Sequence, residues 1–156
     1  MEYYFSYETR IGAITIEECD GAIVKLYFGK ITLEDATWLE TPLLQETAVQ
    51  LGEYLSGSRT SFDLILETHG TNFQELVWSA LRQIPYGKTA SYKEIAIAIQ
   101  SPNASRAVGM ACNRNPLPIL IPCHRVLGSN GSVMGYAGGT DIKRMLLELE
   151  NPSFFE

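Results

Sequence analysis

Cys123 and His124 stand side by side at the end of the stretch Asn115-Pro116-Leu117-Pro118-Ile119-Leu120-Ile121-Pro122-Cys123-His124-Arg125-Val126. An imidazole next to a thiol can take its proton, directly or through water, and the thiolate is the nucleophilic form. Three prolines between positions 116 and 122 exclude a helix there and restrain the backbone that delivers the thiol. The other two cysteines lack such surroundings. Cys112 lies on a helix of small residues and Cys19 in a hairpin loop, where cysteine is ordinarily a small apolar residue. With three cysteines and no Cys-x-x-Cys pair, neither a disulfide framework nor a zinc ribbon is expected. The thiols are expected to be reduced, in the cytoplasm.

The elements that must position this thiol change in character along the chain. Gly12–Glu17 and Ala22–Phe28 are β-like, and the Asp20-Gly21 pair between them is a hairpin turn signal. Tyr3–Tyr7 offers a third strand. Thr41-Pro42 opens a helix that runs to about Leu55 and closes at Ser56-Gly57-Ser58. Residues 57–71 are turn-rich and form the expected linker. From Asn72 the apolar period becomes helical through Phe73, Leu76, Val77, Ala80, Leu81 and Ile84, stopped by Pro85-Tyr86-Gly87. Ser91-Tyr92-Lys93-Glu94 is a capping box ahead of Ile95, Ala96 and Ile99. A break at Ser101-Pro102-Asn103 leads to a short helix from about Ala104 to Cys112. Two short helices so tightly joined read as a helix-turn-helix.

The second helix of that pair carries Ala104, Ser105, Ala107, Gly109 and Ala111, with Arg106 as its one long basic group. A bare helix surface suits either close approach to a groove wall or tight packing on another helix.

With 156 residues, 46% of them hydrophobic, the chain can build one good core or two small ones. No apolar run is long enough for a membrane span, and no basic signal-peptide start is present. The net charge of −6 is unevenly spread. Residues 1–70 hold four Lys/Arg against twelve Asp/Glu, whereas residues 71–156 hold eight against six. That asymmetry suggests two domains, 1–70 and 71–156, the second tolerating a polyanion.

The Pro122-Cys123-His124-Arg125-Val126 segment resembles the active-site motif of the O6-alkylguanine-DNA alkyltransferases. Phe73-Gln74-x-x-Val77-Trp78, Ile84-Pro85-x-Gly87-x-Thr89, Ser91-Tyr92, Arg106-Ala107-Val108-Gly109, Asn115-Pro116 and Tyr136-x-Gly138-Gly139 stand in that family's order and spacing. The resemblance covers residues 72–150 closely and residues 1–70 in outline. It implies an α+β chain, with a small antiparallel sheet and helix of ribonuclease H-like type followed by a mostly helical domain with a winged helix-turn-helix-like motif.

It also implies irreversible transfer of an alkyl group from O6-alkylguanine in double-stranded DNA to Cys123, once per molecule. O4-alkylthymine is a second candidate substrate. No metal, no organic cofactor and no membrane are expected, and the protein is expected to act as a monomer. Some relatives hold a structural zinc in the N-terminal domain, but here only Cys19 and His69 are available, too few for four ligands.

Residue by residue, the resemblance makes Glu150 the group that orients His124, and His124 the base that deprotonates Cys123 through a water. Asn115 braces the turn before the cysteine segment. Tyr92 helps rotate the 3′ phosphate and lines the base pocket. The helix bearing Ala104, Ser105, Arg106 and Ala107 enters the minor groove, and Arg106 fills the space left by the flipped nucleotide. Backbone groups of Cys123, Val126 and Ala137 contact the guanine edge. Tyr136 lines the pocket, within a lid at 129–139 that includes Met134 and Gly138. Many relatives have serine at the position of Ala137.

Three other readings compete. Alkyltransferase-like proteins sense the lesion without transfer, but have tryptophan at the position of Cys123. A helix-turn-helix transcription factor would need a more basic recognition helix. A cysteine hydrolase would need an oxyanion site that the sequence does not place.

Overall fold

The computed structural model describes residues 1–133 and 135–156, leaving Met134, one of the expected lid residues, outside the described set. The chain divides into two compact units, Met1–Thr68 and His69–Glu156.

The first unit begins with three antiparallel strands, β1 (Glu2–Thr9), β2 (Gly12–Cys19) and β3 (Ala22–Phe28). Asp20 and Gly21 both take positive φ, 50° and 86°, which is the type I′ geometry that matches the twist of the flanking strands. A two-residue strand, β4 (Thr37–Trp38), runs parallel to β1 and completes the order β3-β2-β1-β4. Helix α1 (Pro42–Leu55) starts where the sequence places it, with Thr41 Oγ1 accepting from Leu44 N and Pro42 in the first turn. Its Leu44, Leu51, Tyr54 and Leu55 are buried where the helix packs on β1 and β2, whose Tyr4, Ile14 and Ile16 are buried too.

The turn-rich stretch expected to be a linker is tied down over much of its length. Gln50 holds both backbone groups of Asp63, and Ile23 exchanges backbone hydrogen bonds with Ile65 and Glu67. These partners are remote in sequence, so local composition does not reveal them.

The second unit is helical. In α2 (Asn72–Leu81) a Thr71–Gln74 capping box closes the N-terminus. The helix ends at Leu81 and does not reach Ile84, because Gln83 and Ile84 donate to carbonyls three residues back and tighten the chain into a turn. Ile84 is still buried. After β5 (Ala90–Ser91), the Ser91–Glu94 capping box opens α3 (Tyr92–Ala98), and α4 (Ser105–Asn113) packs against both α2 and α3. Buried Trp78 of α2 donates its indole N–H to the Ala111 carbonyl of α4 at 2.9 Å. A Cβ on Gly70 would lie 2.5 Å from the Trp78 ring, so only glycine fits there. Strand β6 (Val126–Leu127) pairs parallel with β5, and α5 (Thr140–Glu150) closes the unit. Among the described residues no helix is long and apolar enough to cross a membrane.

Candidate active site

The proline-restrained segment is a buried, hydrogen-bonded loop. Asn115 spans it, its Oδ1 accepting from Leu117 N and its Nδ2 donating to the Ile121 carbonyl, both at 2.9 Å. Leu117, Ile119 and Ile121 anchor the loop in the core, and Ile119 takes φ 74°, a left-handed conformation that costs a β-branched residue energy. The loop ends in a 3-10 turn, Cys123–Arg125, that puts three consecutive side chains in the interior.

Glu150, in the last turn of α5, meets this turn. His124 Nε2 lies 2.8 Å from Glu150 Oε2. A carboxylate can only accept there, so Nε2 carries the hydrogen and Nδ1 is left as the basic nitrogen. Arg125 grips the same carboxylate with Nε on Oε1 at 2.8 Å and Nη2 on Oε2 at 2.9 Å, while its Nη1 donates to the Ile84 carbonyl at 2.7 Å. The Gly87 N–H donates to Oε1 at 3.0 Å. Gly87 has φ 79° and a Cβ there would approach the Glu150 carbonyl at 3.2 Å, so glycine is needed both for conformation and for space.

Burial sets the protonation states. It pushes the Cys123 thiol up to about 11, against the opposing effects of the Asn115 hydrogen bond and the Lys143 charge. It holds the His124 imidazole below its usual value, despite the pull of Glu150. At rest the pair is therefore a neutral thiol beside a neutral base. Tyr92 is shifted up by burial and then by the charges of Cys112 and Cys123, which places its phenol within electrostatic reach of both thiols. Its ring packs beside Gly109 of α4, and its hydroxyl lies near Gly135 of the expected lid.

Cys123, His124, Glu150 and Asn115 thus come together, joined by Val126 in β6 and by Tyr136, whose ring stands edge-on to His124 at 6.5 Å. Ala137 is exposed and Gly138 half-buried. Arg106 and Ala107 are exposed on α4, and Ala104 and Ser105 are half-buried at its start. The small residues of this helix divide between the two roles that the sequence allows. Ala111 is buried and Gly109 packs on Tyr92, whereas Ala107 leaves a bare outer surface beside Arg106. Ala104 provides no side-chain cap, so the first backbone N–H groups of α4 lack the closure seen in α2 and α3.

Two charged residues escaped assignment from the sequence. Arg125 lies inside the recognised motif, yet its grip on Glu150 shows only in three dimensions. Lys143 is 1% exposed and donates from Nζ to the Val126 carbonyl at 2.7 Å. Its spacing of seven from Glu150, two helical turns, was the available signal.

Comparison with known proteins fits this geometry. Residues 72–152 match the model of the 6-O-methylguanine DNA methyltransferase DNA binding domain, and residues 2–68 that of the ribonuclease-like domain of the same proteins. A methylated-DNA–protein-cysteine methyltransferase of Methanosarcina barkeri is 51% identical, over 95% of this chain and 96% of its own length. The constitutive methylated-DNA–protein-cysteine methyltransferase of Bacillus subtilis is 46% identical, over 100% and 99%. Among solved structures, Mycobacterium tuberculosis OGT in complex with DNA superposes with a TM-score of 0.90 at 41% identity, covering 96% of this chain and 93% of that one.

Proposed function

From the premise that the chain belongs to the 6-O-methylguanine DNA methyltransferase family, we propose that it repairs DNA by moving an alkyl group from O6-alkylguanine onto Cys123. The observation that carries this assignment is the 2.8 Å contact between His124 and Glu150 directly beside a buried thiol. Glu150 fixes the tautomer, so His124 Nδ1 accepts the thiol proton, directly or through water. The thiolate sulfur attacks the alkyl carbon, a C–S bond forms, and the C–O6 bond breaks with its electron pair leaving on guanine. A proton then neutralises the base, with the Tyr92 phenol as the nearby donor. Asn115 offsets part of the desolvation cost of the thiolate. The product is a thioether, whose C–S bond no step of this reaction reopens, so each molecule reacts once.

The lesion lies inside a duplex and must be extruded. The bare outer face of α4, with Ala104, Ser105 and Ala107, lies in the minor groove, and Arg106 fills the vacated stack. Uncapped N–H groups at the start of α4 suit a phosphate. Val126, Tyr136, Ala137 and Gly138 bound the base pocket. One buried constellation within one unit supports action as a monomer, and a functional thiol supports a reducing, cytoplasmic location.

The test mixes the full chain with a duplex carrying one O6-methylguanine and reads intact mass. One added methyl per protein, absent in C123A, is expected. Tight binding with unchanged mass would leave a lesion sensor, and many lesions removed per protein would refute single use.

A further inference from the structure

A lysine ammonium is costly to bury, and Lys143 is almost wholly enclosed. It shares one face of α5 with Glu150, two turns away, and that face packs on the Cys123–Arg125 turn. The helix therefore grips the reactive segment at two points. Glu150 holds His124 and Arg125, and Lys143 holds the carbonyl of Val126, three residues beyond the nucleophile.

The titratable and charged groups around Cys123 are Tyr92 from α3, Cys112 from α4, His124 and Arg125 from its own turn, and Lys143 and Glu150 from α5. Arg125 and Glu150 answer each other in a two-pronged ion pair. Burial keeps His124 neutral, and both Tyr92 and Cys112 are shifted toward their protonated forms. Burial pulls the Lys143 ammonium below its usual value, against the pull of Cys123 and Cys112, and its charge in turn lowers both thiols.

We propose that Lys143 is a positioning residue for alkyl transfer, its buried ammonium serving as counter-charge to the Cys123 thiolate while its hydrogen bond fixes the Val126 carbonyl. The proposal rests on Cys123 being the acceptor. When the thiol proton leaves, a negative charge appears in a site where water cannot solvate it, and a fixed cation there lowers the cost without reorganising. A methionine of similar length would fill the space at no desolvation cost, so packing alone does not account for a lysine here.

The test follows alkylation of Cys123 by iodoacetamide against pH in the full chain, with Cys19 as an internal reference, by peptide mass. Wild type, K143R, K143Q and K143M are compared. K143Q retains a donor without the charge, and K143M serves should K143Q not fold. The neutral variants are expected to move the Cys123 inflection to higher pH, slowing reaction at neutral pH about tenfold for each unit moved. K143R is expected to restore the profile, and Cys19 to stay unchanged. An unchanged inflection in a folded neutral variant overturns the proposal, whatever its melting temperature. Since the probe is not DNA, that failure is distinct from failure of methyl transfer from a lesion.

Discussion

Cys112 and Cys123 are both buried in the C-terminal unit, 5% and 6% exposed, and burial pushes their thiols up to about 12 and about 11. Cys112 lies on the inner side of α4, where a helix offers it packing and no base. Cys123 sits at a 3-10 turn whose next residue is an oriented imidazole, with Asn115 working against the desolvation, while Lys143 acts on both thiols. Burial alone therefore does not separate the thiol proposed to react from the one that is not. The difference lies in the groups arranged to receive a proton and to bear the resulting charge.

The largest effect should come from exchanging the two thiols as targets. C123A should abolish methyl uptake from a lesion-bearing duplex, and C112A should retain it at close to the wild-type rate. Loss of uptake in C112A, read by intact mass, would break the comparison.

Next is E150Q, which removes the group that orients His124. The rate of methyl transfer should fall roughly a hundredfold or more, and stability by about 3 kcal/mol as buried Arg125 loses its counterion. Single-turnover kinetics and denaturant unfolding measure the two losses separately.

R106A should leave the chemistry of Cys123 intact and impair its delivery. Repair in a duplex should slow roughly tenfold, about 1.4 kcal/mol, a part of the unstacking cost of a few kcal/mol. Reaction with free O6-methylguanine should change much less. Equal losses on both substrates would refute a role in extrusion.

The smallest effect is on stability against pH. His124 is held neutral in the fold below its ordinary 6.5, so the unfolded chain binds a proton first as pH falls. The contribution is present above 6.5 and is lost progressively as pH drops through and below it. Melting temperature should decline over that range in wild type and decline less in H124N.

Local chemistry explains what the sequence made legible. The Asp20-Gly21 turn, the Thr41-Pro42 helix start and the Ser91–Glu94 box each depend on residues within four positions of one another, and each appears as expected. Strand β4 did not, because Thr37–Trp38 is a strand only by pairing with Tyr3 and Tyr4. The early end of α2 was hidden by Ile84, whose apolar side chain keeps the helical period while its backbone has left the helix. At the site, Cys123 and His124 stand in a recognisable motif, and Glu150 is placed only by its distance from them in the family that the motif resembles. Arg125 and Lys143 do not stand out, since charged residues are ordinarily placed at the surface and only their buried partners account for them here.

The carboxylate of Glu150 joins chain segments far apart in order, reaching back 63 residues to Gly87 and 26 to His124. During synthesis Cys123 and His124 therefore emerge well before the carboxylate that meets the imidazole. A nascent chain that lacks the final helix carries Cys123 and His124 without the carboxylate that holds the imidazole. A chain cut ahead of that last turn is expected to keep the cysteine and lose the one carboxylate that ties Gly87, His124 and Arg125 together.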